Sequence, residues 1–151
     1  MSDLRELYQE VIFDHYRHPR NQGALPDANH AAHGYNPLCG DQVTVRLRLE
    51  GGVVEDVRFE GAGCAIATAS ASLMTELLKG RTLAEADALF TRFHEMVTAP
   101  PGAAAPDAQA FGKLAALGGV REFPARIKCA TLAWHTFHAA LHDEGGTIST
   151  E

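Results

Sequence analysis

With 151 residues and a formal net charge of −6, the chain is the size of one domain, able to bury roughly 70% of its unfolded surface. That balance excludes nucleic acid as a main partner, because phosphate binding needs concentrated Lys and Arg. No apolar run approaches a membrane span, and the acidic, amphipathic opening MSDLRELYQEV is unlike a secretory or transit peptide.

Leu4, Leu7, Tyr8, Val11, Ile12 and His15 recur at helical spacing and predict an amphipathic helix near residues 3–17. Ser2 is its expected cap, and Pro19 and Gly23 in HPRNQG stop it. His15 lies on the apolar stripe and should be a hydrogen-bonded, semi-buried residue. Residues 24–40 read as an extended approach with a short strand near Asn29–Gly34.

The period then changes to two. Val43, Val45, Leu47 and Leu49 alternate with Thr44, Arg46, Arg48 and Glu50, a half-buried strand. After Gly51-Gly52, Val53, Val57 and Phe59 alternate with Val54, Asp56, Arg58 and Glu60. A two-residue Gly-Gly hairpin would pair Leu47 with Asp56 and mix the two faces. A three-residue loop, Glu50-Gly51-Gly52, is therefore expected, pairing Leu49 with Val53 and setting Arg46 opposite Asp56. Gly52 would then take the left-handed position of a bulge.

Ile66, Ala69, Leu73 and Leu77 mark a helix rich in small residues, which let its backbone pack closely on the sheet; Gly80 ends it. A further helix is expected over Leu83–Phe93. A Pro/Ala/Gly-rich loop follows over 98–108, and Asp107 could cap a short helix through Leu117. GGVREFP reads as a break. Ile127, Ala130, Trp134, Phe137 and Leu141 form a closing helix, with Trp134 as a core anchor. Hairpin first and helices afterwards give an α+β fold: a small antiparallel sheet of about three strands packed against several helices.

The chemistry rests on cysteine. Cys39, Cys64 and Cys129 are odd in number and far apart, which disfavours disulfides and points to reduced thiols in a cytoplasmic protein. Each is read at a junction: Cys39 in the loop before the first long strand, Cys64 ahead of the small-residue helix, Cys129 near the start of the closing helix. A thiol at a helix N-terminus meets unpaired N–H groups that favour thiolate. Singly, each would pass for a small buried hydrophobe. Their flanks are Gly, Ala or turn residues instead, and Asp41 stands two positions after Cys39. Cys39, Asp41, Cys64 and Cys129 would make an S3O tetrahedron suited to zinc or an iron–sulfur cluster, with Arg126 and Lys128 as charge compensation. His135, His138 and His142 share helical spacing, and HYRH and HAAH are H-x-x-H pairs. None carries a metalloprotease Glu, and a polar helix surface is the preferred reading.

The stretches YQEVIFDHYRHPRNQG, NPLCGD, FEGAGCAIATASAS and FPARIKCATLAWHTF resemble the U-type iron–sulfur assembly proteins, which comprise the IscU, NifU N-terminal and SufU groups. The resemblance runs from Leu7 to about Leu141 and implies a single SufU/IscU-like domain over 1–151, with an extra segment near 98–120. Scaffolds of the IscU type usually carry His just before the last cysteine, where this chain has Lys128. They also lack the extra segment, so both departures look like the SufU group. That resemblance implies a zinc-dependent sulfurtransferase, with Zn2+ on Cys39, Asp41, Cys64 and Cys129. It would accept persulfide sulfur from a SufS-like pyridoxal-phosphate cysteine desulfurase, activate that enzyme and serve downstream iron–sulfur assembly machinery, away from membranes. The alternative is a scaffold holding a transient 2Fe-2S cluster on the same ligands. Among the ligands, Cys39 lies in a loop between Leu38 and Gly40 and is the one best able to leave, making it the expected sulfur acceptor.

Overall fold

The computed structural model describes residues 2–37, 40–100, 111–142 and 147–149. In chain order the elements are α1 (Ser2–Arg17), β1 (His30–Asn36), β2 (Asp41–Glu50), β3 (Val53–Ala62), α2 (Ala65–Leu78) and α3 (Leu83–Thr98). A 3-10 helix (Gly112–Glu122), α4 (Pro124–Leu141) and β4 (Thr147–Ser149) complete them. The expected α+β architecture is present, with β1, β2 and β3 antiparallel and helices against them. The short β4 adds a fourth strand, parallel to β1, in the order β3-β2-β1-β4. Among the described residues no helix is long and apolar enough to cross a membrane.

The β2–β3 hairpin corrects the expected register. Its tip is the two-residue Gly51-Gly52 turn after all, with Glu50 opposite Val53 and both glycines at positive φ (56° and 78°). Such a primed turn matches the right-handed twist of the strands. The face-mixing that this turn would cause is cured further down. Leu49 pairs with Val54, but Arg48 pairs with Asp56, so Glu55 is an extra residue on β3, a bulge. The bulge restores parity: Val54, Val57 and Phe59 are buried with Val43, Val45 and Leu47, while Val53 is only half-buried. Arg46 consequently faces Arg58 rather than Asp56, and forms its ion pair with Glu60.

The buried face of the sheet meets α2 and α4. From Ile66 to Thr75, every residue of α2 is buried, because α1, β3 and α4 all pack around it. Helix α4 is almost as enclosed from Cys129 onward, and Trp134, fully buried, stacks on Phe93 of α3 with ring centroids 4.4 Å apart. Gly34 of β1 permits the closest approach: a Cβ there would lie 1.9 Å from Thr136 Oγ1 of α4. His15 has its expected hydrogen bond, Nδ1 to Ser72 Oγ at 2.7 Å, but at 1% exposure it is fully buried rather than semi-buried.

Other boundaries moved. The strand near Asn29–Gly34 runs to Asn36, and α3 continues to Thr98 behind a Thr82–Glu85 capping box. Ser2, the expected cap of α1, is already helical. GGVREFP is not a break throughout: Gly118 to Glu122 belong to the 3-10 helix, and only Phe123 separates it from α4. Asp107, the expected cap, lies outside the described residues.

Candidate metal centre

Three of the four expected ligands are described, and they come together. Asp41, Cys64 and Cys129 each offer a ligand atom within 4.8 Å of the others. Asp41 opens β2, paired with Asn36, and is 2% exposed. A carboxylate so buried needs donors. Cys64 supplies them: its backbone N–H donates to Asp41 Oδ1 at 3.0 Å and its thiol to Oδ2 at 3.4 Å. Gly63 makes room for this, since a Cβ there would sit 2.2 Å from Oδ1.

Cys64 is the N-cap of α2, in extended backbone, and its sulfur accepts from the Ala67 N–H at 3.4 Å. Hydrogen bonding from Cys129 and then from the Ala67 N–H brings the Cys64 thiol down to about 7, although burial and the Asp41 charge oppose this. Cys129 is near the start of α4, as expected, but not at it: the helix begins at Pro124, so Cys129 lies in its second turn, 4% exposed. Proline at the first helical position was a readable signal for that earlier start. Arg126 and Lys128 are exposed on the same helix.

Cys39 lies outside the described residues. Its neighbours delimit its place in the chain: Asn36 and Asp41 close the β1–β2 connection, the Gly40 N–H donates to Asn36 O at 2.8 Å, and Gly40 has φ +80°. Only glycine adopts that backbone without strain.

Tyr8 was read from sequence as one more stripe residue, yet it belongs to the surroundings of the thiols. Burial raises its phenol first; Arg126 lowers it, and Cys64 and Cys129 raise it further. Its ring packs on Gly119, where a Cβ would lie 2.9 Å from Cδ1, and stacks on exposed Phe123 at 6.5 Å. No local pattern could link Tyr8 to Cys129, because the 3-10 helix and α4 bring them together.

The donor set suits a tetrahedral ion. With Zn–S near 2.3 Å and Zn–O near 2.0 Å, a tetrahedral S···O edge is about 3.5 Å, and Cys64 Sγ lies 3.4 Å from Asp41 Oδ2. Borderline-soft ions prefer such mixed sulfur–oxygen sets over hard ones such as Mg²⁺.

Fold and cluster together define a helix-backed antiparallel sheet with thiols and a carboxylate gathered at one end. Residues 7–143 match the family described as the NifU-like N terminal domain. The zinc-dependent sulfurtransferase SufU of Bacillus subtilis is 42% identical over 145 residues, 96% of each chain. The iron–sulfur cluster assembly scaffold protein IscU of Streptococcus pyogenes is 40% identical, covering 93% of this chain and 86% of its own. A crystal structure of a putative iron–sulfur cluster assembly scaffold protein for the SUF system, from Fervidobacterium islandicum, superposes with a TM-score of 0.80. It is 32% identical and covers 90% of this chain and 97% of its own. The chain belongs to the NifU-like N-terminal family.

Proposed function

We propose that this protein acts in iron–sulfur cluster assembly as a zinc-dependent sulfurtransferase, accepting persulfide sulfur from a cysteine desulfurase and activating that enzyme. The observation that carries the reading is the convergence of Asp41, Cys64 and Cys129 at one end of the sheet. The likeness to the Bacillus sulfurtransferase over nearly the whole chain supports it. Cys39 completes the proposed ligand set. Two residues from Asp41, its Cα is held by covalent geometry within about 7 Å of that of Asp41.

Zinc, when bound, would keep the thiols deprotonated at neutral pH. The chain's own residues do the rest. Asp41 is held by Cys64, and Cys64 and Cys129 are anchored on α2 and α4. Cys39 lies between Pro37 and Gly40, both exposed, and takes the sulfur. Its thiolate attacks the terminal sulfur of the desulfurase's cysteine persulfide; that S–S bond breaks, the desulfurase cysteine leaves as thiolate, and Cys39 becomes the persulfide.

The test is to incubate variants with cysteine and a matched pyridoxal-phosphate desulfurase, then locate the added sulfur by peptide mass spectrometry. Cys39→Ala should accept none while remaining folded, with metal retained at reduced affinity. Cys64→Ala and Cys129→Ala should lose metal and stability along with activity. Persulfide on Cys64 or Cys129 of the unmodified protein, or full-rate acceptance by Cys39→Ala, overturns the assignment.

A second reading, a scaffold for a transient 2Fe-2S cluster, is favoured by the likeness to the Streptococcus scaffold protein. Lys128, where such scaffolds usually have His, favours the first. Protein made in iron-rich medium should be colourless and zinc-loaded. Brown protein with stoichiometric iron and sulfide decides for the scaffold, and Lys128→His is the informative variant beside it.

A further inference from the structure

Away from the thiols, α3 and α4 bring together a second group of ligand atoms. Asp87 of α3 faces His138 and His142 at the C-terminal end of α4, and their ligand atoms all lie within 4.8 Å of one another. Both imidazoles aim the same nitrogen at one oxygen. His142 Nε2 is 2.8 Å from Asp87 Oδ1, and His138 Nε2 is 3.7 Å from it. For ligands near 2.0–2.1 Å from a tetrahedral ion, the N···O edge is about 3.4 Å. His138 is already close to it, whereas His142, hydrogen-bonded to both Asp87 oxygens (2.8 and 3.0 Å), would exchange that direct contact for the ion.

We propose that Asp87, His138 and His142 form a second, solvent-accessible site for a divalent transition ion, zinc above all. Two imidazoles and a carboxylate are a donor set for borderline ions, not for Mg²⁺ or Ca²⁺. The helix end adds to this. His142 caps α4, where unpaired carbonyls carry the negative end of the helix dipole and favour a cation. His138 is pre-positioned: its ring stacks on Phe90 of α3, centroids 4.5 Å apart. The expected polar face of the closing helix is thus only half the feature. The helical spacing of His138 and His142 was visible in the sequence, but the carboxylate comes from α3 and appears only when the helices pack. At 1.5 Å per residue along α4, His138 and His142 stand roughly 14–20 Å from Cys129, so this site is separate from the thiol cluster and does not depend on its role. All three side chains are about a third exposed, which leaves room for water as a fourth ligand.

The experiment is a calorimetric titration of the folded full chain with zinc chloride, after its thiol site has been saturated and excess metal removed. A further equivalent should bind. His142→Gln and Asp87→Asn should each weaken it about tenfold or more, while His94→Gln should not, and magnesium chloride at the same concentrations should give no heat. Circular dichroism checks that the variants keep the fold. Cobalt provides an independent readout: the added equivalent should show only weak visible bands, without the intense near-ultraviolet absorption of cobalt–thiolate bonds. The proposal is overturned if no further equivalent binds, if His142→Gln and Asp87→Asn bind it unchanged, or if the added cobalt carries thiolate absorption.

Discussion

Replacing Gly63 with Ala should weaken metal binding at the thiol cluster while leaving every proposed ligand residue in place. The added Cβ would sit 2.2 Å from Asp41 Oδ1, 3.1 Å from Cγ and 3.3 Å from the Asp41 Cα. The Gly63 φ lies outside the left-handed region, so alanine brings no backbone strain and the collision is the whole perturbation. Relieving it requires the carboxylate to move by about 1 Å, since a real Cβ essentially never comes within 3.0 Å of another heavy atom and is crowded up to 3.4 Å. That movement takes Oδ1 away from the Cys64 N–H, now at 3.0 Å. A hydrogen bond to a charged group contributes about 1.5–3 kcal/mol. Taking 2 kcal/mol as the loss, zinc affinity should fall about 30-fold, at roughly 1.4 kcal/mol per decade. The assay is competition against a chelating dye of known zinc affinity, with circular dichroism to confirm the fold. Unchanged zinc affinity in Gly63→Ala would show that Asp41 is not a ligand, or that its position is not set by Cys64 and Gly63.

Verified metal removal should lower the melting temperature. With zinc at 100 times its dissociation constant the linkage is about 2.7 kcal/mol, or roughly 5–10 °C for a chain of this size; an unchanged melt removes the structural role of the metal. Gly34→Ala should destabilise by about 2 kcal/mol through overpacking against Thr136, whose hydroxyl donates to Leu132 O. Thermal melts should recover part of that loss in the Gly34→Ala, Thr136→Ala double variant, and additive losses would contradict a direct clash. Thr82→Ala should cost about 1 kcal/mol by removing the cap of α3, read as a lower denaturant midpoint with metal content unchanged.

Periodicity alone located α1, the β2 and β3 strands, α2 and α4, because a chain that buries one face must repeat apolar residues at the period of its element. The grouping of Asp41, Cys64 and Cys129 as candidate ligands was legible too, since thiols beside glycine and a carboxylate suit metal chemistry better than a core. What escaped was everything decided between segments. The alternation of β2 and β3 demanded a parity change, but a longer loop and a bulge both satisfy it. The Gly51-Gly52 turn together with the packing of Val54, Val57 and Phe59 on the helices chose the bulge at Glu55. Lengthening α4 back to Pro124 carried Cys129 away from the helix start, and only the placement of α4 against the 3-10 helix brought Tyr8 into range of its sulfur. Asp41 and Cys64 stand 23 residues apart in the chain and meet through a backbone hydrogen bond that needs Gly63 bare. Asp87 meets His138 and His142 because α3 packs against α4. Local spacing reports which face of an element is buried; which faces meet is set by the packing of the whole core.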